Sequence, residues 1–430
     1  MEKDDTRRGE PVKEEEREER EYSLITFGIV MLFMALLIGF NSYSNWVPTG
    51  TTGIAAGTAW NASQVGVIVM VKNEELILER LLKSVAPYGE WLFVCDTGST
   101  DGTQDKVNYW TASPSNRAHF RFIGPFHDFE TSRNLCMDAA RTWIPKQVEW
   151  LLLPDADFEL KQQEGLSLTM PHDFDLNIIQ IRLPPEEGHK GSLNALPLLV
   201  RATTFFGNCR YRLWTHEVLD CCNATTKTGY FAPLYWIDHS DGASRSNKLE
   251  RDITLLEEWI YHYNRTLASS PTERRPDLYG RALYYLARAH EDAGHPEQAL
   301  QLYHIHQLNQ PWTNYQFQGR YRTAIILLTQ YRNQGSSGSD WRPIEAAFLD
   351  AYGGADGYFR KEVLYYLMWL FQELRQWNRC ILYASAGLAA PPVDYSRMPL
   401  FLEPEKHESA LFQKGWDYCV YHSKNSPLGQ

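Results

Sequence analysis

The sequence predicts an α/β domain with a mostly parallel sheet, followed by an all-α helical array, both set behind one N-terminal transmembrane helix. Three observations carry this. Apolar β-branched runs alternate with helical patterns from residue 65 to residue 154, the pattern becomes purely helical after residue 245, and residues 24–40 (LITFGIVMLFMALLIGF) hold no charge. Strands that alternate with helices imply parallel pairing, because each parallel return needs a crossover. The expected divisions are a charged tail (1–23), the span (24–40), a stem (41–63), the α/β domain (64–245) and the helical repeats (246–430).

The tail is dominated by Glu, Lys, Arg and Asp and lacks the apolar residues that would bury a face. The span is at the short end of what crosses a bilayer, and no small-residue cleavage site follows it closely. Lys3, Arg7, Arg8, Lys13, Arg17 and Arg20 precede it, and no Lys or Arg occurs from Asn41 to Val71. The positive-inside bias then leaves the N-terminus cytosolic, a single-pass type II arrangement with the bulk of the chain in the lumen. Shortness of the span suits the early secretory pathway, endoplasmic reticulum or Golgi. Asn61, Asn223 and Asn264 begin glycosylation triplets, as a lumenal glycoprotein would carry. Seven cysteines follow the span with no CxxC pair. Cys95 and Cys136 sit in apolar strand and helix patterns and read as buried thiols.

Residues 41–63, rich in Gly, Thr, Ser and Ala, read as a flexible stem. VGVIVMV (65–71) suits a buried parallel strand, and NEELILERLLKSV a helix with Leu76, Leu81, Leu82 and Val85 on its apolar face. WLFVCDT, HFRFIGPF and EWLLLP give further strands, and FETSRNLCMDAARTWI a further helix. In the last part, residues 282–311 match tetratricopeptide spacing, with Ala282, Ala287 and Ala299 as small positions, Gly294 at the turn and Pro311 at the end. Residues 363–392 look like a degenerate second copy. One such unit cannot bury its own face, so a stacked array is expected.

Ligands of open α/β sheets bind beyond the carboxyl ends of the strands, where Asp96, Asp101, Asp155 and Asp157 all fall. In LLLPDADFEL an extended chain puts Asp155 and Asp157 on one face about 7 Å apart. Two like charges so placed call for a cation, and hard Mg²⁺ or Mn²⁺ takes oxygen ligands of this kind.

VIVMVKNEELILERLLKSV, VCDTGSTDGT, SRNLCMDAA, LLLPDADFEL and WTHEVLD, in that order, resemble a family-2 glycosyltransferase. The resemblance is to the A-type, Rossmann-like nucleotide-sugar fold, in the subgroup with C-terminal tetratricopeptide-like helices. It implies a metal-dependent inverting transfer from a nucleoside-diphosphate sugar to a glycan or glycoprotein acceptor. It implies donor contacts from Asn73, Glu74, Asp96, Asp101, Arg133, Asn134 and Asp155, and metal contacts from Asp155, Asp157 and His239. Glu217 is the implied base, with Asp241 as runner-up. Competing structural readings stand beside these: helix capping by Asn73, turn formation by Asp96 and Asp101, a surface ion pair at Arg133, pairing of Glu217 with Arg210 or Arg212, and core packing rather than sugar stacking for Trp214, Trp236 and Tyr211.

Net charge −11 gives no basic surface, which excludes nucleic acid as a partner. The chain has VKNEE after its first strand where a nucleotidyltransferase would carry a Gly-rich phosphate loop. An inert membrane-anchored scaffold that recruits a protein partner through the helical array predicts broken motifs, and the five motifs are whole.

Overall fold

The computed structural model describes residues 58–110, 117–183, 193–221, 225–243, 247–270, 272, 274–311, 313–335, 340–354, 357, 360–391 and 403–425. The expected tail, membrane span and most of the stem lie outside the described residues, as do Asn223 and Cys222. Among the described residues no helix is long and apolar enough to cross a membrane.

The strands are β1 (Val65–Val71), β2 (Trp91–Asp96), β3 (Arg117–Phe122), β4 (Trp150–Leu152), β5 (Phe158–Gln162), β6 (Leu176–Arg182), β7 (Leu193–Arg201), β8 (Cys209–Arg212), β9 (Val218–Cys221) and β10 (Thr228–Asp238). Helices α1 (Leu78–Val85), α2 (Thr103–Trp110), α3 (Phe129–Trp143) and α4 (Ala202–Asn208) lie between them. From residue 248 onward the elements are helical: α5 (Lys248–Ser269), α6 (Pro276–Asp292), α7 (Pro296–Asn309), α8 (Thr313–Asn333), α9 (Arg342–Gly353), α10 (Lys361–Glu373), α11 (Trp377–Ala389) and α12 (Ser409–Asn425).

Eight strands make one sheet in the order β3-β2-β1-β4-β7-β6-β10-β5, and β8 pairs with β9 apart from it. The expectation of a mostly parallel sheet holds for β3, β2, β1 and β4, whose mutual pairings are all parallel. The other half is mixed: β7 runs antiparallel to both β4 and β6, and β5 antiparallel to β10. The reason is connectivity, since β6 ends at Arg182 and β7 begins at Leu193, too close in sequence for the dozen or more residues that a parallel crossover needs. Val65, Val67 and Val69 on one face of β1 are fully buried and Ile68 on the other is 6% exposed, as a strand covered on both faces requires. Each such valine contributes about 1.5–3 kcal/mol relative to exposure.

Helix α1 starts later than the sequence suggests. Leu78, Leu81, Leu82 and Val85 are its buried face, whereas Leu76 precedes it and is 95% exposed. Cys95 and Cys136 are joined in a disulfide, which ties β2 to α3 and corrects the reading of two buried thiols. Both lie in the core, where apolar surroundings mask a half-cystine as readily as a thiol. Further bridges link Cys209 to Cys221 and Cys380 to Cys419.

The helical array stacks sequentially from α5 to α12, α6–α7 and α10–α11 being the two recognised repeats. Gly294 turns between α6 and α7 at φ +79°; Arg375 takes the equivalent left-handed place between α10 and α11 at φ +56°. An L residue is disfavoured there, which is one way the second copy is degenerate. Buried Ala282, Ala287, Ala299 and Tyr303 are the small and aromatic positions of the first copy.

Candidate active site

The loops beyond the carboxyl ends of β1 and β2 are laced together by side chains from both. The Asn73 N–H donates to Ser99 Oγ at 2.9 Å and its Oδ1 accepts from Thr100 N–H at 2.8 Å. Glu74 N–H donates to Thr103 Oγ1 at 2.8 Å, and Gly102 N–H to Glu75 Oε2 at 3.0 Å. Asn73 does not cap α1, whose cap position is Ile77; it sits in the left-handed region at φ +57°, which Asn tolerates. Asp96, at the end of β2, accepts N–H groups from Gly98 and Ser99 at 3.0–3.2 Å. Asp101 accepts from Glu75 and Thr103, and although burial opposes it, these hydrogen bonds hold its carboxyl below the usual range. The turn-forming geometry foreseen for Asp96 and Asp101 is therefore present.

Glu74 and Asp157 approach one another across Gly242. A Cβ at Gly242 would lie 3.4 Å from Asp157 Oδ2 and 3.5 Å from Glu74 Oε1, in van der Waals contact with both carboxylates. Both acids are buried, at 7% exposure each. Burial first, and then the neighbouring charge of Asp157, pushes Glu74 up to about 7, against the pull of the Ala243 N–H.

Arg133 is the centre of the other half of the site. Its Nε donates to Glu217 and one terminal nitrogen donates to Asp155, so one guanidinium spans two carboxylates from distant parts of the chain. Its side chain is 14% exposed, Glu217 13% and Asp155 48%. Burial works against the charge, but Glu217 and Asp155 more than offset it and keep Arg133 protonated. The ring of Tyr211 lies 5.4 Å from the guanidinium. The expected pairing of Glu217 with Arg210 or Arg212 is replaced by Arg133; Arg210 pairs with Asp138 and Arg212 with Glu130 and Asp220. Asn134, adjacent on α3, spends its amide on the backbone of Tyr211, accepting and donating at 3.0 Å.

Two predicted groups lie differently from expectation. His239 N–H donates to Asp157 O at 3.2 Å, which follows from antiparallel β5–β10 register, but its imidazole takes Glu159 at 3.0 Å, the diagonal neighbour, instead of turning to the Asp155–Asp157 pair. Asp241 forms a two-pronged ion pair with Arg80, at 2.6 and 2.8 Å, and this hydrogen bonding holds it below the usual carboxylate range. Arg80 also donates to Asp157 O at 3.3 Å. Among the described residues no three His, Cys, Asp or Glu side chains form a metal-binding group. Asp155 and Asp157 lie in the turn after β4, where Phe158 N–H donates to Asp155 O at 3.2 Å, and not in the extended chain expected. With Asp155 on Arg133 and Asp157 buried near Glu74, they would suit only a hard cation that draws the rest of its shell from phosphate and water.

Glu217 stands in the loop of the β8–β9 hairpin, which Cys209–Cys221 closes at its far end. Every residue of Leu213–Glu217 is held. Leu213 N–H donates to Glu130 at 2.7 Å, and its side chain is buried among Leu256, Leu278, Ala282 and Leu286. Trp214 O accepts from Phe129 N–H at 2.8 Å, and its indole lies 5.3 Å from His262. Thr215 Oγ1 donates to Asp252 at 3.0 Å, and His216 Nε2 is 3.2 Å from the same carboxylate. Leu213 at φ +81° and His216 at φ +52° occupy the left-handed region. Each costs about 1–3 kcal/mol and persists where surrounding contacts over-determine it. Of the aromatic residues considered for sugar stacking, Trp236 is fully buried in the core.

Sequence reasoning missed Arg80, Thr103, Glu159, Gly242, Asp252, Arg281 and Tyr285. Arg80 and the helical-array residues sit in ordinary helix patterns, with no local signal; only pairing across the fold brings them to the site.

Residues 66–222 match the model of Glycosyl transferase family 2. A search of curated proteins finds no match. Among solved structures, S. aureus TarS 1-349 aligns at 15% identity and a TM-score of 0.30, over 64% of this chain and 92% of that one. The same fragment in complex with UDP aligns at 16% identity and 0.30 over the same shares. BtubC from P. vanneervenii aligns at 14% identity and 0.28, over 42% of this chain and 74% of that one. With the motif order, the aspartates at the sheet rim and the match over residues 66–222 together, the chain carries a glycosyl transferase family 2 domain and is a glycosyltransferase.

Proposed function

We propose that this chain transfers a sugar from a nucleoside-diphosphate sugar to a hydroxyl of a glycan or glycoprotein acceptor, in one displacement with inversion, and that Glu217 is the base. The observation that carries the reading is the convergence of Asp155 and Glu217 on Arg133 within the family-2 domain. A guanidinium matches the planar oxygens of a phosphate as well as those of a carboxylate. The diphosphate of an arriving donor competes for Arg133 and frees both acids. Glu217 then takes the proton of the acceptor hydroxyl as its oxygen bonds to the anomeric carbon, while the bond from that carbon to the diphosphate breaks. Asp155 and Asp157 would hold Mn²⁺ or Mg²⁺, which when bound supplies Lewis-acid stabilisation of the departing diphosphate. Glu74, Asp96 and Asp101 shape the donor side, and His239 acts through Glu159.

The lumenal, type II membrane placement with residues 24–40 as anchor belongs to the same proposal. Three disulfides support it, because such bonds persist in oxidising compartments. So does exposure of Asn61 and Asn264 at the glycosylation triplets.

The test is a panel of UDP-glucose, UDP-galactose, UDP-N-acetylglucosamine and GDP-mannose with the full chain, with Mn²⁺ and with chelator. One donor is expected to be hydrolysed slowly in the presence of Mn²⁺, and Asp157→Ala to abolish this. Absence of both turnover and binding across the panel overturns the reading.

A further inference from the structure

We infer that the helical array is a working part of the catalytic site: Asp252, Arg281 and Tyr285 are positioning residues that fix the Leu213–Glu217 loop, and through it the Glu217 carboxylate. This rests on Glu217 being the base and adds the means by which it is held.

The clamp closes on three sides. From α5, the Asp252 carboxylate, 2% exposed, accepts from Thr215 on one oxygen and faces His216 on the other. It is itself steadied by Lys248 and Arg251. From α6, Arg281 Nε donates to His216 O at 2.9 Å. One turn further along α6, Tyr285 lies flat on the His216 ring, centroids 3.9 Å apart and planes 4° from parallel. Tyr315 of α8 backs this layer, accepting from Arg281 and lying 3.2 Å from the Tyr285 hydroxyl. Both left-handed residues of the loop, Leu213 and His216, are among those the helices grip. A conformation costly in isolation is therefore imposed from outside the α/β domain, immediately before the residue that must present its carboxylate accurately. Misplacement of a reacting group by about 1 Å lowers rate about 100-fold, so the grip bears on kcat rather than on donor binding.

The experiment compares the full chain with Tyr285→Leu, Tyr285→Phe and Thr215→Val, and with Leu367→Ala as a control in the distal helices. Hydrogen exchange of the 213–218 amides is read by mass spectrometry, and kcat and donor KM are read on the nucleotide sugar that the panel identifies. Tyr285→Leu and Thr215→Val are expected to speed loop exchange and to lower kcat about 10–100-fold, with donor KM within about twofold. Tyr285→Phe, which keeps the stacked ring, is expected to restore both. Leu367→Ala is expected to lower the melting temperature and leave kcat per folded molecule unchanged. Thr215→Val, nearly isosteric, keeps the question open to decision should Tyr285→Leu fail to fold. Unchanged loop exchange and kcat in Tyr285→Leu or Thr215→Val overturns the inference, as does an equal fall in kcat for Leu367→Ala. Full activity in Glu217→Gln would overturn the base assignment while loop exchange still decides the clamp.

Discussion

Asp155 and Glu217, far apart in sequence, share one guanidinium, that of Arg133. A shared cation between a proposed metal ligand and a proposed base means that neither acid is available while Arg133 keeps them. Removing the cation leaves Glu217, 13% exposed, without its hydrogen-bonding partner, a change that typically destabilises by about 1–3 kcal/mol. Arg133→Gln is therefore expected to lower stability by about that much in urea titration and to abolish donor turnover, whereas Arg133→Lys can satisfy only one acid at a time. Wild-type stability and turnover in Arg133→Gln would show that the bridge is incidental.

Two acids compete for the role of base, and their partners separate them. Asp241 is held in a two-pronged pair by Arg80 and pulled below the usual carboxylate range, so it is a weak proton acceptor. Glu217→Gln is expected to lower kcat about 100- to 10,000-fold, the usual contribution of general base catalysis. Asp241→Asn is expected to lower it by less than about tenfold, through loss of the Arg80 pairing at the loop that carries Gly242. A larger loss in Asp241→Asn than in Glu217→Gln would exchange the two assignments.

Local pattern was enough to read the first half of the sheet, because β1, β2 and β4 are buried runs bounded by turn residues and α3 has a clear apolar face. It placed Asp155 and Asp157 just past the end of β4, but not in the turn that sends their side chains to different neighbours, Asp155 to Arg133 and Asp157 toward Glu74. It was not enough for the mixed half, where β7 inserts between β4 and β6: strand order there depends on pairing between segments far apart in sequence. His239 illustrates the same limit. Its place opposite Asp157 follows from being just past β10, but which acid its ring takes is decided by β5–β10 register, invisible in either strand alone. Cys95 and Cys136 were hidden for another reason, since each looks like a small apolar residue in its own element. Arg133 was legible as a candidate, while its two partners were not.

The cysteine pairing makes a sharp prediction at the adjacent Cys221 and Cys222, of which Cys221 ends β9 and Cys222 lies outside the described residues. Cys209 and Cys221 face one another directly in that hairpin, and the bond between them closes the segment that carries Glu217. Non-reducing peptide mapping is expected to yield Cys95–Cys136, Cys209–Cys221 and Cys380–Cys419. A bridge that closes so short a loop contributes about 3 kcal/mol, so Cys209→Ser with Cys221→Ser is expected to lower stability by that order. A Cys209–Cys222 crosslink in the map would contradict the hairpin register.

Asp252 predicts a pH signature for the contact between the helices and the catalytic loop. Burial alone would raise its carboxyl, but His216 and Lys248 hold it well below the unfolded value of 3.8. The folded state thus binds fewer protons than the unfolded state in the window below 3.8, and stability falls as pH drops through it. Above that window the contribution is complete and independent of pH. Asp252→Asn removes the charge and leaves Lys248 and Arg251 without their shared partner, so at pH 7 the variant is expected to be less stable by about 3 kcal/mol. At pH 5 the gap should remain near its full size, and by pH 3 it should have narrowed, because the wild type is then losing what the variant already lacks. Denaturant titration at these three values measures it. A gap that stays constant or widens toward acid would mean that the Asp252 charge does not stabilise the folded state, and that the grip on Thr215 and His216 is made by shape and by Arg281 alone.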